Sequence, residues 1–287
     1  METKELLRKV KALELKTRGF TKQVFSGEYH SAFKGKGMTF SEVKSYSFGD
    51  DVRNIDWKVT ARFDEPYVKV FEEERELTVM LLLDLSGSTD FGSAVKSKKE
   101  LLLELAATVA FSAIRNNDKV GAIFITDTVE KFIPAKKGRK HVLLLLRELI
   151  EFEPTSSKTN IQEGIKFFRN IQKKRCIAFM ISDFFDDNDY WDALGIINKK
   201  HDFIALQLHD PMEQQLLDLG IVEMKDAESN STKWINTSVA NQFYKQQYEN
   251  WENELHSGFK RRGIEFIKIA TNEMYFQKLI HLFKKRK

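Results

Sequence analysis

Between residues 77 and 210 the chain alternates short apolar runs with longer amphipathic stretches. The runs "LTVMLLLDL", "KVGAIFI", "CIAFMIS" and "DFIALQL" are apolar at almost every position. That pattern predicts strands covered on both faces, because a strand with one wet face would alternate apolar and polar residues. Helical spacing of apolar residues predicts helices at about 96 to 116, 139 to 151, 160 to 173 and 189 to 200. Strands linked by helical crossovers predict an α/β layer, doubly wound around a mainly parallel sheet. After Asp210 the pattern predicts a hairpin within "GIVEMKDAESNSTKWINTS", a long helix through "VANQFYKQQYENWENELHSGFKRRG", a strand "GIEFIKIA" and a last helix.

The first 76 residues read differently. Leu6, Leu7, Val10 and Leu13 recur at helical spacing among lysines and glutamates, predicting an N-terminal amphipathic helix that docks its apolar stripe. From about 25 to 77 the chain is rich in glycine and aromatics with short alternating runs such as "YVKVFEEE", which predict a small module of β-hairpins. The expected division is therefore 1–76, helix and β-hairpin module, and 77–287, an α/β domain with a C-terminal extension.

Composition narrows the function classes. The 287 residues carry a formal net charge of only +4, too mild and too dispersed for a dedicated nucleic-acid binder. The basic clusters "KKGRK" at 136 to 140 and "KKRK" at 284 to 287 read as solvated charges. The single cysteine, Cys176, lies in an apolar run and reads as a buried, inert thiol in a reducing compartment. No stretch approaches the roughly 18 to 20 apolar residues that span a bilayer, and the opening residues are charged throughout, so a cytoplasmic protein without a transmembrane segment is expected.

Candidate chemistry sits where the first apolar run stops, in "TVMLLLDLSGSTDFG". Asp84, Ser86 and Ser88 alternate, and in extended chain every second side chain points the same way. Asp183 ends the later run "CIAFMIS", and Thr159 precedes a predicted helix in "TSSKTNIQEG", where Thr155, Ser156 or Ser157 are alternatives. In open parallel sheets ligands gather at the carboxyl ends of strands. Carboxylates and hydroxyls converging there suit a hard divalent cation, Mg²⁺ first and Mn²⁺ or Ca²⁺ as alternatives.

These five residues in an α/β pattern resemble the metal-ion-dependent adhesion site of von Willebrand factor A domains, a Rossmann-like fold. The segment "SYSFGDDVRNIDWKVTARFDEPYVKVFEEER", with "DLSGSTDFG", resembles the bacterial domain-of-unknown-function family 58, von Willebrand A-like proteins associated with MoxR-type AAA+ ATPases. The likeness is read as running from the N-terminal helix to the C-terminus. It implies a non-enzymatic protein-interaction module, an adaptor or co-factor of such an ATPase or its client, with a partner Asp or Glu completing the metal site.

The alternative is a metal-dependent hydrolase. "DLSGST" is superficially like the start of haloacid-dehalogenase phosphatases, but Ser86 stands where the proton-donating acid belongs. There is no "GxxxxGK[ST]" and no "GxSxG", and the six histidines have no zinc-like spacing. In "GDDVRNIDW", Gly49 suits a positive φ, Asp50 and Asp51 suit turn caps, and Arg53 or Arg62 is expected to bridge carboxylates as a structural clamp. Trp191, Trp234 and Trp251 are expected in the core.

Overall fold

The computed structural model describes residues 11–15, 39–63, 65–72, 77–92, 96–225 and 231–285. They fall into two units, Phe33–Leu77 and Met1–Ala32 together with Thr78–Lys287.

In the smaller unit, β1 (Thr39–Ser45) pairs antiparallel with β2 (Tyr67–Glu72), with an irregularity in register between Phe40 and Glu42. The connection contains Gly49 at φ 107°, a single 3₁₀ turn at Val52–Asn54, and helix α1 (Trp57–Phe63). Asp51 caps the 3₁₀ turn by accepting from the Arg53 N–H at 3.0 Å, and Asp50 accepts from the Ser47 N–H at 2.9 Å. Both aspartates therefore do what their positions predict. Arg53 bridges a carboxylate as expected, forking onto Asp51 two residues away, but the pair is exposed, with Arg53 at 85%, so it fastens only its own turn. α1 was not expected, since none of its residues is buried and "WKVTARF" carries no apolar stripe.

In the larger unit, six strands form one sheet: β3 (Thr78–Asp84), β4 (Lys119–Ile125), β5 (Val129–Lys136), β6 (Ile177–Ser182), β7 (Asp202–His209) and β10 (Glu265–Ala270). Their order across the sheet is β10-β7-β6-β3-β4-β5, parallel except for β5. The doubly wound, mainly parallel sheet is thus as expected. β5 escaped the sequence reading because it is a half-exposed edge strand carrying Pro134, so it lacks the apolar run that marks its neighbours. A separate hairpin joins β8 (Ile221–Lys225) to β9 (Thr232–Asn236).

Helices cover both faces: α2 (Lys98–Arg115), α3 (Arg139–Ile150), α4 (Ile161–Ile171), α5 (Trp191–Lys200), α6 (Thr237–Arg261) and α7 (Tyr275–Lys285). Alternation along β3 sends Met80 and Leu82 to one face, where they join Ile161, Ile165, Phe168, Leu194, Leu255 and Phe259 of α4, α5 and α6. On the other face Phe179 meets Phe283 of α7, and Thr108 of α2 meets the Tyr275 hydroxyl. Each fully buried leucine there contributes roughly 1.5–3 kcal/mol. α4 docks closely because Gly164 has no side chain: a Cβ there would lie 2.3 Å from Ile125 Cδ1.

Near the N-terminus only residues 11–15 are described, and they are helical with Leu13 buried, as its place in the stripe predicts. Leu6, Leu7 and Val10 lie outside the described residues. Cys176 is buried, and burial pushes its thiol up to about 12, the inert state expected of it. Of the three tryptophans expected in the core, Trp191 packs on Phe259 and Trp251 stacks on Phe185 at 3.9 Å, but Trp234 on the hairpin is 71% exposed. The expectation for Trp234 fails because β9 presents it on the hairpin face away from the partly buried pair Val222 and Ile235. Among the described residues, no helix is long and apolar enough to cross a membrane.

Candidate metal centre

The sheet turns back on itself at β3. The chain leaves β3 toward β4 and β5 on one side and returns to β6 and β7 on the other, so the switch point lies between the carboxyl ends of β3 and β6. Asp84 ends β3, and Asp183 follows the last residue of β6. The topology thus brings together two residues that lie 99 positions apart in sequence.

Register and alternation decide where each side chain goes. Leu83 is opposite Ile181, which places Asp84 beside Ser182 on the same face, and the Ser182 hydroxyl donates to Asp84 Oδ2 at 2.5 Å. Asp84 Oδ1 accepts from the Ser86 N–H at 3.1 Å and the Ser86 hydroxyl at 2.7 Å. The Ser86 and Ser88 hydroxyls lie 3.1 Å apart. The three "DLSGS" side chains therefore cluster at the strand end, though not by the extended alternation expected of them: β3 stops at Asp84, and Ser88 lies in a 3₁₀ turn at Gly87–Asp90 that Ser86 precedes.

Asp183, one residue past the end of β6, turns to the opposite face, where α2 begins. Its Oδ2 accepts from Lys98 Nζ at 2.7 Å, and its Oδ1 accepts from the Phe185 N–H at 3.2 Å. Lys98 Nζ also reaches Glu213 Oε1 at 2.5 Å. The backbone immediately after Asp183 is strained: Phe184, fully buried, sits at φ 64°, a region that bulky residues rarely adopt. Its N–H donates to the Ser182 hydroxyl at 2.8 Å and its carbonyl accepts from the Tyr190 hydroxyl at 3.3 Å.

The third loop meets the first through its backbone, where the Gly87 N–H donates to the Ser157 carbonyl at 2.8 Å. Two of the four candidate hydroxyls in that loop are engaged elsewhere. The Thr155 hydroxyl donates to Glu130 at 2.6 Å, and Ser156 Oγ accepts from the Lys158 N–H at 3.2 Å. Thr159 is buried, immediately before Asn160, which caps α4 by accepting from the Glu163 N–H at 3.2 Å.

The donor set suits a divalent cation. Asp84 is fully buried, and all three of its hydrogen bonds come from neutral donors. Burial, reinforced by the Asp183 charge, pushes its carboxyl up to about 6. Among the described residues no cation pairs with Asp84, whereas Asp183 has Lys98. A buried carboxylate beside hydroxyls and without its own counter-charge has the oxygen donors that a hard cation takes. Among the described residues no three His, Cys, Asp or Glu side chains converge on a metal position, so hydroxyls and water would complete the coordination.

Sequence reasoning passed over Ser182, Lys98 and Glu213. Ser182 ends an apolar run one residue before Asp183, and that position was the available signal. Lys98 offered none, because "SKKE" at a helix start reads as solvated charge. Further along the edge, fully buried Asp210 accepts from the Thr271 hydroxyl at 2.7 Å and caps the 3₁₀ turn that carries Glu213. Gln207, in register with Ser182, is fully buried, and its amide has no partner among the described residues.

Comparison with known proteins agrees with this architecture. The family described as "Protein of unknown function DUF58" matches residues 42–255. The match stops short of both ends, over which the resemblance was expected to run. The uncharacterized protein Rv1480 of Mycobacterium tuberculosis is 32% identical over 222 residues, covering 77% of this chain and 70% of its own length. Among solved structures, an aerotolerance-related membrane protein from Bacteroides fragilis is similar over 73% of this chain and 99% of its own, with 16% identity and a TM-score of 0.51. At that identity the likeness is one of fold. The SpRpn10 VWA domain aligns over 72% of this chain and 95% of its own at 11% identity and a TM-score of 0.39.

Proposed function

The chain belongs to the DUF58 family, and from that premise we propose that it is a non-enzymatic protein-interaction module whose docking point is a metal-ion-dependent adhesion site. Asp84, Ser86 and Ser88 are the residues that would hold a Mg²⁺ ion, with Thr159 the third-loop hydroxyl and Asp183 the second carboxylate; Mn²⁺ and Ca²⁺ are the alternatives. When bound, such an ion offers an incoming carboxylate a position otherwise filled by water.

The chain's own residues preorganise that position. The Ser182 hydroxyl and the Ser86 N–H fix the Asp84 carboxylate, and the strained turn at Phe184 aims Asp183 toward α2. The observation that carries the reading is the fully buried Asp84 carboxylate, hydrogen-bonded to neutral donors only and clustered with two hydroxyls of its own loop.

The partner chemistry is an exposed Asp or Glu. The partner class is a MoxR-type AAA+ ATPase or one of its clients, a choice that rests on the family resemblance. Calorimetric titration with a purified MoxR-type ATPase tests it, using the parent and Asp84→Ala, each with Mg²⁺ and with EDTA. Binding by the parent in Mg²⁺ alone supports the reading. Equal affinity in all four conditions removes the site from the contact.

A further inference from the structure

We infer that Lys98 is a built-in competitor for the cation site: its ammonium occupies the Asp183 side and thereby sets how tightly a divalent ion binds. This rests on the adhesion-site reading above and concerns the regulation of that site.

Lys98 is the first residue of α2, and its N–H donates to the Phe91 carbonyl at 2.9 Å, which ties it to the loop that follows "DLSGS". Its side chain is 1% exposed and lies between Asp183 and Glu213. The adjacent Lys99 approaches Asp90 at 3.4 Å with both groups in solvent. One of two neighbouring lysines is therefore withdrawn from water into the candidate metal centre. Stability is a weak reason for that, since burying an ion pair returns little more than a well-packed apolar cluster would.

The charges indicate what the arrangement does. Asp84, Asp183 and Glu213 present three carboxylates, and Lys98 supplies one ammonium. A divalent ion brings the sum to zero, so ion and lysine are compatible. They nevertheless share Asp183 and repel each other across it, strongly because the surroundings are dry. Glu213 acts in the opposite sense, drawing Lys98 toward β7 and adding negative potential. Removing Lys98 must then tighten the ion, and removing Glu213 must loosen it. A lysine that only propped the site open would give the reverse on removal, since its loss would let the site collapse.

The test is calorimetric titration of the full chain with MnCl₂ and with MgCl₂ at fixed ionic strength. It compares the parent, Lys98→Met, Glu213→Gln and the double variant Lys98→Met/Glu213→Gln. Lys98→Met should bind at least about tenfold more tightly than the parent, and Glu213→Gln at least about threefold more weakly. The double variant has the parent's formal charge sum and should bind near the parent. If Lys98→Met does not fold, the same tightening is read between Glu213→Gln and the double variant. Equal or weaker binding without Lys98, in a protein whose parent binds, overturns this inference and leaves the adhesion site standing. Binding of neither ion by any of the four proteins overturns both.

Discussion

Two charge clusters in this chain use the same ingredients in opposite settings. In "GDDVRNIDW" Arg53 forks onto Asp51 and Lys44 reaches Asp50 at 2.8 Å, all within a few residues and largely in water. At the sheet edge Lys98 joins Asp183 and Glu213 across 85 and 115 residues with almost no exposure. In the first, hydrogen bonds from Lys44 and Arg53 hold Asp50 and Asp51 below the usual carboxylate range. In the second, burial dominates and drives Glu213 up despite Lys98, as it does the neighbouring Asp84. The difference lies in the solvent around the charges: an exposed pair exchanges water for a partner at little gain, while a buried cluster depends on every member.

The largest effect expected from this contrast is at Lys98. Lys98→Ala leaves Asp183 and Glu213 buried without their cation and should lower stability by about 3–5 kcal/mol in EDTA, read from urea unfolding. Added Mg²⁺ should restore part of the loss. A variant that unfolds with the parent would erase the distinction between the two clusters.

The next effect sharpens the contrast at the opposite edge of the sheet. His201 is buried beside Cys176, and burial, helped by Lys200 and Arg175, lowers its pKa to about 4. The folded protein keeps this ring neutral, while the unfolded chain takes up a proton near its ordinary pKa. The contribution is therefore intact above about pH 6.5 and lost as pH falls toward 4, to a limit of about 3 kcal/mol. Stability of His201→Leu measured against pH should lack that part of the parent's acid limb. Parallel curves for the two proteins would refute the assignment.

A smaller effect is expected at the close helix contact beside the third loop. Gly164→Ala should cost about 1–3 kcal/mol, because its Cβ meets Ile125, and Ile125→Val in the same protein should recover part of it. No recovery would mean that α4 does not depend on that approach. The smallest is Arg53→Ala, which should melt with the parent, since both members of its pair stay in water. A clear drop in melting temperature there would show that the exposed fork on Asp51 stabilises the fold as the sequence led one to expect.

The same contrast explains which elements are legible in the sequence. β3, β4, β6 and β7 were legible because strands buried on both faces leave unbroken apolar runs, and Asp84 and Asp183 were legible because each interrupts one. β5 and α1 were not, since neither is buried enough to impose a period. Lys98 was invisible for a different reason: nothing nearby distinguishes it from Lys99, and its burial is decided by residues just beyond β6 and β7. The hydroxyl loop stayed ambiguous from Thr155 to Thr159 until Glu130 took Thr155, a partner contributed by the unforeseen strand β5.

The proposed function turns on a divalent cation held by Asp84, Ser86 and Ser88 at the end of β3. Its most direct test is an anomalous difference map from crystals of the full chain grown in MnCl₂. The account requires a manganese peak bonded to the Ser86 and Ser88 hydroxyls beside Asp84, at about 2.0–2.2 Å as expected for a hard cation of this size, with Lys98 still on Glu213. A map without a peak there, with Asp84 still bonded only to Ser86 and Ser182, would contradict it.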